Sequence, residues 1–171
     1  MPFSILEAQD FNESPFSLLE RGMLLTVRDG ARINTMTVGW GGLGRIWGKN
    51  AVYATVRPER HSFSLLEKAD SFSFSALPPG REMDDLISYL GRVSGRDEDK
   101  IQKSGLTLAF EEGVPYFEEA DTVFICRTMA VPRLREEDFL PGMRIMEDWY
   151  DGGLHHVFIG EILKILKAGS K

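Results

Sequence analysis

Residues 34–62 read NTMTVGWGGLGRIWGKNAVYATVRPERHS, and the fold follows from how this stretch is divided. Ile33 to Val38 is a β-branched run whose side chains alternate between two faces as a strand. Five glycines then fall between Gly39 and Gly48, bracketed by Trp40 and Trp47, and read as a loop. A second strand-like run, Ala51 to Val56, stops at Arg57-Pro58-Glu59-Arg60. Hydroxyls, open backbone, indoles and arginines packed this closely suit a flat aromatic ligand that carries a phosphate.

Outward from there, Met23 to Val27 is a strand, and Asp29-Gly30 between two such runs predicts a hairpin. Phe16 to Glu20 reads as a short helix before it. After Arg-Pro, Phe63 and Leu66 fall at helical spacing, so a short helix follows, with Ser62 in its first turn. Phenylalanines at period two make residues 72–77 a half-buried strand. Met83, Leu86, Ile87 and Leu90 put one apolar face on a helix over 81–90. Asp97 is the expected cap of a helix from Glu98 to Lys103, closed by Gly105. Asp121 to Val131 and His155 to Lys167 read as strands, although the tail from Glu161 also fits a helix. Many strands, few short helices and no regular βαβ alternation predict a mainly β, antiparallel barrel. The chain of 171 residues reads as one domain over residues 1–171.

Composition narrows the function. A net charge of −6 argues against broad nucleic-acid binding, while a local phosphate site needs only backbone N–H groups and two arginines. The single cysteine, Cys126, excludes an intrachain disulfide or a multi-thiolate metal site, and its apolar run predicts a buried thiol. No apolar run approaches the ~20 residues needed to cross a bilayer, and the N-terminus lacks signal-peptide regions. A soluble cytoplasmic protein is the expectation.

Asn34, Thr35 and Thr37 supply polar groups beside open backbone, and Trp40 offers a face to a ring. Arg57 and Arg60 flank Pro58, and guanidinium forks suit a phosphate. Ser62 adds a hydroxyl near a helix start. Together these residues fit flavin mononucleotide (FMN). Gly39-Trp40-Gly41-Gly42-Leu43-Gly44 matches the dinucleotide pattern G-x-G-x-x-G only formally, because a strand and not a helix follows. His155 and His156 are adjacent at a strand start and point to opposite faces, so they do not share a metal. One of them belongs in the flavin pocket.

At Asn34–Trp40, Trp47-Gly48-Lys49, Val56–His61, Phe63–Lys68, Ser94–Lys100, Ser104–Leu106 and His155–Ile162, the chain resembles the flavin reductase family with the FMN-binding split-barrel fold, especially its flavoredoxin-like branch. The resemblance implies a homodimer with one FMN per subunit near the interface. It implies Asn34, Met36, Thr37 and Trp40 along the ring and ribityl chain, and Arg57, Arg60 and Ser62 near the phosphate. Ser94 and Lys100 would close the site, and His155 would lie near the flavin or nicotinamide. Two activities stay open. One is reduction of flavin by NADH or NADPH; the other is flavoredoxin-like electron carriage to a protein acceptor with little nicotinamide reactivity. A split barrel that binds another ligand, such as haem, is the third reading.

Overall fold

The computed structural model describes residues 2–169. Strand β1 (Phe3–Leu6) is followed by helix α1 (Pro15–Arg21), whose first turn is capped by the Ser14 hydroxyl. The hairpin β2 (Met23–Asp29) and β3 (Arg32–Val38) turns at Gly30, as Asp-Gly predicts. Next come β4 (Gly41–Ile46), β5 (Lys49–Val56), helix α2 (His61–Leu66) and β6 (Ser71–Ala76). Helix α3 (Arg81–Arg92) and the short α4 (Lys100–Ser104) lead into a small hairpin, β7 (Leu108–Glu111) and β8 (Val114–Phe117). The long strand β9 (Thr122–Ala130), the short helix α5 (Ile145–Trp149) and β10 (His156–Ala168) complete the chain.

All strand pairs are antiparallel. The large sheet runs β3-β2-β6-β9-β10-β5-β4, and β1 pairs with the far end of β10. The sheet does not close on itself: β3 and β4 remain its edges, which makes the barrel a split one. Period two then divides the core. Leu25, Phe74, Phe124 and Phe158 fill one side together with α1 and α2. Leu24, Val123 and Ile125 face the other side, where α3 and the β7–β8 hairpin cover them. Cys126 is fully buried on β9, and burial pushes its thiol far up from the ordinary cysteine value.

Two sequence expectations change, the strand reading of the last element holds over its helical alternative, and several elements are new. The glycine stretch is not a loop; Gly41 to Ile46 form strand β4, in register with Lys49 to Ala54. Gly41 sits at φ +146°, and a Cβ there would collide with the Tyr53 carbonyl, so only glycine lets β4 approach β5 here. The helix expected from Glu98 starts at Lys100 instead, and Asp99, not Asp97, caps it by accepting from Gln102 N at 3.0 Å. The tail from Glu161 is strand throughout, because β9 on one side and β5 or β1 on the other take its backbone groups. Strand β1, the β7–β8 hairpin and α5 had no counterpart in the sequence reading.

Candidate functional site

A cavity of about 990 Å³ opens where the end of β3, the β5–α2 turn, the α3–α4 connection and the segment before β10 meet. Ten of the twelve residues expected from sequence line it: Asn34, Met36, Thr37 and Trp40; Arg57, Arg60 and Ser62; Ser94, Lys100 and His155. Thr35 and Pro58 do not. On β3 the alternation turns Asn34 and Met36 to the cavity and Thr35 away, while Thr37, on the side of Thr35 but near the strand's end, borders the cavity beside α3. The Thr35 hydroxyl is shared with Thr26 Oγ1 at 3.0 Å inside the sheet. Pro58 instead shapes the turn in which Arg60 N donates to Arg57 O at 3.1 Å, so that both arginines emerge on the cavity side.

Several of these side chains are held by the protein itself. Asn34 Nδ2 donates to Ser62 Oγ at 2.8 Å, which ties β3 to the first turn of α2. Gly95 packs against that asparagine so closely that a Cβ would overlap its side-chain oxygen. Thr37 Oγ1 donates to Ile87 O on α3 at 2.6 Å. Lys100 is only 3% exposed, and its ammonium caps the end of α3 through Leu90 O at 2.7 Å and Val93 O at 2.9 Å. Burial, with Arg60 adding a like charge nearby, lowers its pKa to about 8. Lys100 thus fixes the loop that carries Ser94 as well as bringing charge to the site.

The cavity is cationic in an acidic chain. Arg57, Arg60, Arg92, Arg96 and Lys100 line it, against Glu59, Asp97 and Asp151. Arg57 donates to Asp151 Oδ1 at 3.3 Å and to Trp149 O at 2.7 Å. Arg60 donates to Gly91 O at 2.9 Å, and Arg96 to Glu59 O at 3.0 Å. Each guanidinium has five N–H donors, so these bonds fix the forks and leave donors for a ligand. The Glu59 carboxylate is turned aside, accepting from Gly153 N at 2.7 Å.

One wall is aromatic. Trp40 packs edge-on to Trp149 at 5.1 Å and lies 5.1 Å from the His155 ring. His155 is buried, and burial followed by the nearby Arg57 lowers its pKa. His156 faces the other way, against Phe63 at 4.7 Å, so the expected divergence of the two histidines holds. His61 lines the cavity too, and its buried Nδ1 has no partner among the described residues. Sequence reasoning had not assigned site roles to Arg92, Arg96, Trp149 and Asp151. Two signals pointed to some of them: the glycine ahead of Arg96, and the Trp149-Tyr150-Asp151-Gly152-Gly153 run just before His155.

The sequence model of the flavin reductase-like domain matches residues 22–170. No curated protein matches the chain. Among solved structures, an FMN-binding protein from Thermus thermophilus with bound 1-cyclohex-2-enone is similar at 26% identity. The match covers 84% of this chain and 68% of that one, with a TM-score of 0.64. Flavoredoxin from Methanosarcina acetivorans is similar at 21% identity, over 86% and 68% of the two chains, with a TM-score of 0.64. An NADH:FAD oxidoreductase from Streptomyces globisporus, in complex with NAD and FAD fragments, shares the fold at 18% identity. That match covers 86% and 74%, with a TM-score of 0.62.

Proposed function

This chain belongs to the flavin reductase-like domain family, and from that premise we propose that it is an FMN-binding flavoprotein that reduces flavin with NADH or NADPH. The observation that carries the reading is the cation cluster set beside an aromatic wall in one cavity. An acidic protein has no general reason to gather four arginines and a buried lysine at one opening. A phosphate supplies that reason.

The donor set fits the whole ligand. Met36, Val38 and Trp40 give the apolar and aromatic surface that a flat ring needs. The arginine forks and the Ser62 hydroxyl, which Asn34 holds in place, sit where an anionic tail is received. The volume lies within the roughly 300–1,000 Å³ usual for such ligands. When bound, FMN supplies a ring that takes a hydride from a reduced nicotinamide and passes electrons onward. The chain's own work is to grip the phosphate, hold the ring and shield one face. Trp149 and the backbone of 151–153, anchored through Arg57 and Glu59, form the wall that does the shielding.

We further propose a homodimer with FMN near the subunit interface. Trp40 is 44% exposed and Trp149 58%, side by side at the cavity mouth, and Leu140 and Met143 are exposed on the same connection as Trp149. Exposed apolar surface of this kind marks interfaces.

The decisive experiment is spectroscopic. Purified protein supplied with FMN should hold a flavin band near ~450 nm, and anaerobic NADH or NADPH should bleach it within seconds. A protein that never takes up FMN would overturn the flavin reading. A yellow protein that keeps its colour under both nicotinamides is a flavoredoxin-like electron carrier for a protein acceptor, the second reading.

A further inference from the structure

Tyr150 stands just before the glycine pair that leads to His155, and phosphate binding leaves its placement unexplained. Its hydroxyl lies 2.8 Å from His155 Nδ1. The Arg57 guanidinium sits over its ring at 5.3 Å, and Phe139 packs on it at 6.1 Å. On the other side of the imidazole is Trp40, tilted by 45°. The histidine ring is therefore fixed between an indole and a phenol, with Nδ1 occupied. Only Nε2 is left for anything that enters the cavity.

Which partner holds the proton between oxygen and nitrogen decides what Nε2 can do. A cation over the phenol ring draws electron density from it and strengthens the O–H as a donor. Imidazole Nδ1 is the better acceptor of the two atoms. Protonation of both ring nitrogens would place a third cation beside Arg57 and Arg60. Glu59 favours the charged ring and offsets Arg60, but burial and Arg57 act the other way and prevail. The Glu59 carboxylate is itself bonded to Gly153 N, while Asp151 is paired with Arg57. The lowered pKa of His155 agrees with a ring that stays neutral.

We propose that Tyr150 is a positioning residue: its O–H donates to His155 Nδ1, fixes the neutral Nε2–H tautomer, and makes His155 a hydrogen-bond donor to an acceptor atom of the ring bound in the cavity. The identity of that ring rests on the flavin reading; the tautomer does not. His155 then serves as a fixed donor to a carbonyl oxygen or imine nitrogen, and not as a proton-abstracting base.

The test uses the FMN-free protein labelled with ¹⁵N. Long-range ¹H–¹⁵N spectra are recorded over a pH series, with His61→Gln and His156→Gln separating the three histidines. In the wild type, His155 should show protonated Nε2 and bare Nδ1, with a midpoint below the ordinary 6.5. Tyr150→Phe should mix the tautomers, raise the midpoint toward that value, and weaken FMN binding by roughly three- to tenfold, the loss of one modest hydrogen bond. His156 should not change. A wild-type His155 protonated at Nδ1 would overturn the proposal, as would unchanged tautomer populations in Tyr150→Phe. Should that variant not fold, the wild-type spectrum decides alone. The expected tautomer in a protein that takes up no FMN supports Tyr150 while removing the flavin reading, so the two failures are separable.

Discussion

Arg57 does two things at once: it anchors the 149–151 backbone, and it presents spare donors to the cavity. Arg57→Ala should therefore weaken FMN by about ten- to a hundredfold, the range for hydrogen bonds to a charged group, while riboflavin, which lacks the phosphate, loses far less. Fluorescence titration of both ligands measures this, and equal losses would refute the phosphate role. Lys100 gives a pH-dependent prediction. Its folded pKa of about 8 lies below the ordinary 10.5, so between those values the unfolded chain binds more protons, and stability rises with pH. Below pH 8 the penalty for burying the charge is fully present. Urea titrations from pH 7 to 10.5 should show wild-type stability gaining on Lys100→Met across that window; parallel curves would contradict the burial. Arg57 and Arg60 were legible from their neighbours in sequence. Thr35 was not, since only the register against Thr26 shows which face of β3 it takes. Arg96 escaped because its meaning depends on the close packing of Gly95, in the α3–α4 turn, on Asn34 of β3, a contact between segments far apart in the chain.

At the scale of elements, the Asp29-Gly30 hairpin and the apolar face of α3 were readable, because turn chemistry and periodicity are local. The glycine stretch was misread for a physical reason: glycine is disfavoured in strands, and the close pass over the Tyr53 carbonyl, which requires Gly41, shows only in the pairing of β4 with β5. Gly41→Ala should cost about 1–3 kcal/mol, since it adds both backbone strain and a collision. Chemical denaturation should show that loss, while Gly42→Ala, with open space around its Cβ position, costs less; equal effects would remove the argument. Strand β1 had no local signal at all. Its four residues are strand because residues 165–168 of β10 offer a free edge, a pairing across the length of the chain.

Over the whole molecule, charge is divided against itself: the chain carries a net −6, yet cations cluster within one cavity. Screening separates the two. Raising salt from about 50 to 500 mM shortens the Debye length several-fold, so FMN affinity should fall while riboflavin affinity holds; a rise in FMN affinity would mean that the acidic surface dominates. The proposed dimer is checked by sedimentation at micromolar concentration, with Trp149→Ser expected to shift it toward monomer. Cys126, meanwhile, is the chain's only thiol and lies on β9 between β6 and β10, deep in the sheet. A maleimide or disulfide reagent has nothing to attack until those strands part, so labelling kinetics become a clock for global opening. The wild-type chain carries that reporter without any engineered label, and flavin should slow the clock by the same factor by which it binds the folded form.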